Sequence, residues 1–132
     1  FVQRSRFLTA YPLTLSSTQY VQNLNASAGN VLTQAQRDQL IDDLNSGRTT
    51  RGAVLRAIAE NPTLTARETN KAFVLMQYFG YLRRNPNDPQ DSDYTGYEFW
   101  LNKLNQFNGN FISAEMVKAF ITSIEYRQRF AQ

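Results

Sequence analysis

The sequence predicts an all-α protein, a compact bundle of about six to seven helices, on three observations. Apolar residues recur at helical spacing, as in Leu40, Ile41, Leu44 and in Val117, Phe120, Ile121, Ile124. Polar pairs at capping-box spacing open several of these stretches, and glycine or Asn-Pro closes them. No segment sustains the period-two alternation of a half-buried strand.

The elements follow in order. Phe1–Leu8 reads as a short aromatic helix over 1–9. Ser16 with Gln19 opens a helix over 17–27 that stops at Gly29, and Thr33 with Gln36 opens one over 34–45 that stops at Gly47. A helix over 50–60 follows. Thr65 with Glu68 is expected to cap a long helix over 65–84, apolar nearly all round and ended by Asn85-Pro86, which marks it as the centre of a core. Gly80 inside it costs roughly 1 kcal/mol in helix propensity and suggests close approach of a neighbouring helix, or a kink. Thr95 with Glu98 opens a helix over 95–106 that Gly109 closes. Ser113 and Glu115 start the last helix, over 113–129.

Composition excludes whole classes of chemistry. The 132 residues include no cysteine and no histidine, so disulfides, Ser-His and Cys-His nucleophile pairs and ordinary zinc sites are ruled out. The net charge of +3 comes from arginines spread as the pairs Arg4/Arg6, Arg48/Arg51, Arg83/Arg84 and Arg127/Arg129. Phosphate-tracking grooves cluster their cations, so no nucleic-acid partner is expected. No apolar run is long enough to span a bilayer.

An internal repeat organises the chain. Leu40, Ile41, Leu44 and Asn45 align with Trp100, Leu101, Leu104 and Asn105, while Gly47, Arg56, Ala57, Ile58 and Leu64 align with Gly109, Lys118, Ala119, Phe120 and Tyr126. Tyr20 and Leu24 align loosely with Tyr78 and Leu82. Phe1, Val2 and Phe7 match Phe120, Ile121 and Tyr126. The expectation is one all-α domain over 1–132, in which 1–12 is the trailing helix of a preceding unit, 13–64 a first unit and 65–132 a second. On this reading the chain is a fragment of a larger array.

The second unit reads Phe79-Gly-Tyr-Leu-Arg-Arg-Asn-Pro-Asn-Asp88, then Tyr94-Thr-Gly-Tyr-Glu-Phe-Trp-Leu101, then Met116-Val-Lys-Ala-Phe-Ile-Thr-Ser-Ile-Glu-Tyr126. Here the chain resembles the bacterial domain-of-unknown-function family 4214, best over residues 70–130. The matching positions are Arg84, Pro86, Asp88, Gly96, Trp100, Leu104, Gly109, Phe120, Ser123, Glu125 and Tyr126. Asn87 interrupts the family's Pro-Asp pair, and the loop from Asp88 to Tyr94 is longer than usual. The resemblance implies a small helical module, often tandem, in exported or surface-associated bacterial proteins, similar in pattern to the scaffolding linker domains of phycobilisomes. It brings no activity and no catalytic residues. It implies structural roles: Trp100 and Phe99 as core anchors, Pro86 and Gly96 as loop formers, Arg84 and Glu125 as helix caps or an ion pair. Gly80, Phe120 and Tyr126 are likewise read as structural.

Three functions are open to these residues. Asp88, Asp91, Asp93 and Thr95, followed by Gly96, offer oxygen ligands for calcium, although the EF-hand positions that follow carry Glu98 and Asn102 in place of an apolar residue and a bidentate Glu. Glu98, Glu115, Glu125 and the Asp91/Asp93 pair are the candidate carboxylates of a carbohydrate-active hydrolase, with no spacing that singles out a pair. The favoured reading is a non-catalytic interaction or spacer module of an exported or cell-surface bacterial protein. Its contacts are a protein or surface polysaccharide and the adjacent units of its own chain. Tyr94, Tyr97, Arg83 and Arg84 are the candidate contact residues, and Tyr11, Tyr20, Tyr94, Tyr97 and Tyr126 are expected to lie partly exposed, because a tyrosine offers contact area with a polar tip.

Overall fold

The computed structural model describes residues 1–130. They form eight α-helices and one π-helical turn, with no strand among the described residues. The chain divides into two compact units, Phe1–Thr65 and Ala66–Gln132, beside the subdivision expected at residues 64 and 65.

The first unit holds α1 (Ser5–Ala10), α2 (Ser17–Ser27), α3 (Gln34–Asn45) and α4 (Arg51–Ala59). Local signals set most of its boundaries. Ser16 and Gln19 form a full capping box at α2, as Thr33 and Gln36 do at α3, and the Thr50 side chain accepts from Ala53 N–H to cap α4. Gly29 and Gly47 take φ of 75° and 71° after α2 and α3, a conformation that favours glycine. α1 begins later than expected because Phe1 to Arg4 form a turn closed by Arg4 N–H on Phe1 O. α2 packs against α3 and α4 around Tyr20, Val21, Leu24, Val54 and Ile58. Phe7 of α1 and Tyr11 just after it cover that core, stacked with ring centroids 4.8 Å apart.

Two polar groups lock this unit. Asn25 is buried, accepts from Leu32 N–H at 2.9 Å and donates to Asn30 Oδ1, which holds the loop between α2 and α3. The guanidinium of Arg51 lies over the Tyr20 ring at 4.6 Å and donates to the carbonyls of Pro12, Leu13 and Leu15, while the Tyr20 hydroxyl donates to Arg51 O at 2.8 Å. Tyr20 is fully buried, so the expected exposure of this ring is corrected: its polar tip finds a backbone partner inside the core.

α5 (Pro62–Gln77) begins three residues before its expected start. Asn61 accepts from Thr63 and Leu64 N–H, and Pro62 occupies the first helical position, where its missing N–H costs nothing. Thr65 therefore lies inside the helix and does not cap it. The expected single helix to residue 84 ends instead in the π-helical turn Tyr78–Leu82, after which Arg83 adopts a left-handed φ of 55°. Gly80 lies in that wide turn, and a Cβ built there meets no atom within 4 Å, so no neighbouring helix approaches it. Nor is the segment apolar-buried all round, since Met76 is 64% and Phe79 50% exposed.

The second unit continues with α6 (Thr95–Gln106), α7 (Met116–Thr122) and α8 (Ile124–Gln128). Its core is Val74, Tyr78, Leu104, Ala114, Met116 and Phe120. α7 packs against α8 and the π-helical turn. Two predicted caps are corrected. The Thr95 side chain makes no cap bond; Asp93 accepts from Thr95 N–H at 2.8 Å. Asn110 accepts from Ile112 and Ser113 N–H, so residues 111–115 form turns and the helix waits until Met116. The expected helix over 113–129 is also broken at Ser123, whose ψ of 150° ends α7 and whose hydroxyl caps α8 through Tyr126 N–H.

Candidate functional site

The second unit carries an open, cleft-like cavity of about 340 Å³, lined among others by Tyr78, Arg84, Asp91, Gly96, Trp100 and Glu125. The π-helical turn begins with Tyr78, buried against Phe120 with ring centroids 5.1 Å apart. The left-handed Arg83 then redirects the backbone, and the Arg84 guanidinium lies over the Tyr78 ring at 5.4 Å.

Arg84 is the node of the site. Its Nε donates to Glu125 Oε1 at 2.6 Å, Nη2 donates to Glu125 Oε2 at 3.1 Å and Asp91 Oδ2 at 2.7 Å, and Nη1 donates to the carbonyls of Asn85 and Pro86. A guanidinium carries five N–H donors, and these partners use the whole fork. The hydrogen bonds that Arg84 donates to Glu125 are the main cause of its raised pKa, so the cation persists at every accessible pH. Glu125 lies in the first turn of α8, which the Ser123 cap orients. Asp91 is tied through Arg84 to the loop after the π-helical turn, and Pro86 is fully buried beneath that loop.

The Tyr78 hydroxyl stands apart from this network. The side chain is 3% exposed, yet its hydroxyl takes no hydrogen-bond partner among the described residues. Burial, and secondarily the Asp91 carboxylate, push its pKa up to about 12, so the group stays a neutral donor at physiological pH. It lies against Gly96: a Cβ on that residue would stand 2.9 Å from the Tyr78 Oη and 3.7 Å from Asp91 Oδ1. Trp100 is half-buried, with Phe120 at 5.6 Å and Lys103 Nζ over its ring at 5.2 Å.

Each carboxylate proposed for calcium has a protein partner of its own. Asp88 accepts from Asn85 N–H at 2.7 Å, Asp91 pairs with Arg84 and Asp93 caps Thr95. The hydrogen bonds from Thr95 lower the Asp93 pKa. Among the described residues no group of three or more carboxylates could hold a metal ion. Of the hydrolase candidates, Asp91 and Glu125 meet at Arg84, a pairing that the spacing did not single out. Glu115 forms a surface pair with Lys118.

The candidate contact residues also part company. Arg84 is enclosed, whereas Arg83 is exposed on its left-handed turn. Tyr94 is 50% exposed and meets Tyr97 edge-on, while Tyr97 is half-buried with its hydroxyl toward Lys71 O. Phe99 is corrected from a core anchor to a surface ring, 57% exposed, because α6 turns Trp100 and Leu104 inward and the preceding position outward. Phe120 is in the core, and Tyr126 is half-buried, edge-on to Tyr81. The sequence reading missed Arg51, Asn25, Asn61 and the Tyr78 hydroxyl. Only Asn61 carried a local signal, the Asn-Pro pair that opens a helix.

Comparison with protein-family models, curated proteins and solved structures finds no match for this chain.

Proposed function

We propose that the chain is a non-catalytic interaction and spacer module of an exported or cell-surface bacterial protein. Its contacts are with protein or surface glycan and with adjacent helical units. The observation that carries this reading is the state of the charged groups at the cavity. Arg84 is paired with both Asp91 and Glu125, so each of these carboxylates is held beside a fixed cation. General acid–base work needs a carboxyl free to exchange its proton with a substrate. Exposed Tyr94, Phe99, Phe107 and Phe111 on the same unit supply contact area of the kind interfaces favour. The pattern of residues 70–130 supports the exported, modular setting.

The test is turnover. The chain, incubated with peptidoglycan and with neutral and acidic polysaccharides, is expected to release no reducing ends or fragments above a heat-treated control. Sustained release that disappears in Glu125→Gln or Glu98→Gln would replace this reading with a paired-carboxylate hydrolase.

A further inference from the structure

We propose that the cavity of the second unit binds a neutral, hydroxyl-rich ring, the single sugar unit of a glycan. The inference rests on the reading of the chain as an interaction module and names the ligand class and the place.

The shape and size come first. At about 340 Å³ the cavity lies at the small end of ligand pockets, which span about 300–1,000 Å³. One wall is apolar, formed by Leu82, Trp100 and Phe120. The C–H groups of a sugar ring carry partial positive charge and suit the negative face of an indole.

Polar capacity then selects the ligand. The Tyr78 ring is buried, but its hydroxyl has no protein partner and opens onto the cavity, where water satisfies it and a ligand group can take that water's place. Asp91 uses only Oδ2 on Arg84, and its Oδ1 faces the same Gly96 surface as the Tyr78 hydroxyl. A hydroxyl placed there can accept from Tyr78 and donate to Asp91. Gly96 keeps that corner open, since a side chain would collide with Tyr78 Oη. Charge narrows the class further. One guanidinium faces two carboxylates, so this cluster is net negative and an anionic ligand is repelled, while an ammonium offers no acceptor to the Tyr78 hydroxyl. A neutral polyol meets neither penalty.

Trp100, the only tryptophan in the chain, lines the cavity and reports on it directly. The full chain is titrated with glucose, galactose and N-acetylglucosamine, and with glucuronate, while Trp100 fluorescence is followed. At least one neutral sugar is expected to shift the emission saturably, and glucuronate is not. Tyr78→Phe keeps the buried ring and removes only the hydroxyl; it is expected to hold the urea midpoint and weaken binding about tenfold. Gln106→Ala, an exposed position of α6 outside the cavity lining, is expected to bind as the parent chain does.

Silence of Trp100 toward every neutral sugar at concentrations well above millimolar overturns the proposal. So does equal binding by Tyr78→Phe, saturable binding of glucuronate, or a response to a neutral dipeptide amide where sugars give none. A chain retained on an insoluble polysaccharide while Trp100 stays silent would sink the cavity site and leave the interaction reading standing. Polysaccharide turnover would sink that reading itself.

Discussion

Each unit buries a tyrosine beneath an arginine, and the two arrangements finish differently. In the first, Tyr20 donates to the backbone of Arg51, and Arg51 donates to three loop carbonyls. Every polar group of that cluster ends on a neutral backbone partner. In the second, Arg84 is held by two carboxylates and the Tyr78 hydroxyl is left over beside a cavity. The positions align in the repeat for the tyrosines but not for the arginines, since Arg51 opens α4 whereas Arg84 follows the π-helical turn. The same local need, a cation over a buried ring, has been met by two routes, and only the second leaves room and unspent polarity. At the 62-residue offset Val54 and Ile58 face Met116 and Phe120 in the alignment, and both pairs are core residues.

Removing the arginines should separate the two routes most clearly. Arg84→Ala strands two carboxylates, one of them largely buried, and is expected to cost about 3–5 kcal/mol, read as a fall in the urea midpoint followed by Trp100 fluorescence. Arg51→Ala frees carbonyls that water reaches at Pro12 and Leu13, and about 1–2 kcal/mol is expected by circular dichroism. An Arg51 variant more damaging than the Arg84 one would break the comparison.

Alkali gives the next effect. Tyr78 has a folded pKa near 12 against an ordinary value of 10.0, so its contribution is whole below pH 10. As pH rises from 10 to 12 the unfolded chain loses this proton and the folded one keeps it, so stability falls. The loss amounts to about 2–3 kcal/mol by pH 12. Burial raises the Tyr20 pKa in the same sense. Melting the parent chain and Tyr78→Phe across this window should show a shallower decline in the variant; identical slopes would remove Tyr78 as a cause.

The paired glycines sharpen the contrast at the smallest scale. Gly47 and Gly109 correspond in the repeat and take φ of 71° and 81°. Gly47→Ala meets open space and is expected to cost about 1–2 kcal/mol from backbone strain alone. Gly109→Ala places a Cβ 2.9 Å from Asn70 Oδ1, which also disturbs the Asn70 to Asn105 hydrogen bond, so it should cost about 1 kcal/mol more. Equal midpoints for the two variants would show that Asn70 yields freely.

What was legible in the residues is what neighbours in sequence decide. The boxes at Ser16 and Thr33 and the glycine stops after α2, α3 and α6 involve groups a few positions apart, and they form as read. The helical class follows from the same short-range periodicity. Failures come where two local solutions compete. Thr65 had a capping partner in Glu68, but Asn61-Pro62 starts the helix sooner; Thr95 had Glu98, but Asp93 reaches the same N–H.

Tertiary structure alone decided the site. Arg84 meets Glu125 across 41 positions and Arg51 meets the Pro12 to Leu15 carbonyls across 36 to 39, separations over which no periodicity carries information. It also chose which ring of the Phe99-Trp100 pair turns inward and left the Tyr78 hydroxyl without a partner. The sequence by itself determined helices, caps and stops, because backbone groups must be satisfied locally wherever the chain turns. Packing determined which polar atoms were enclosed together. That depends on how helix faces meet, and so does the one cavity corner where chemistry is still unspent.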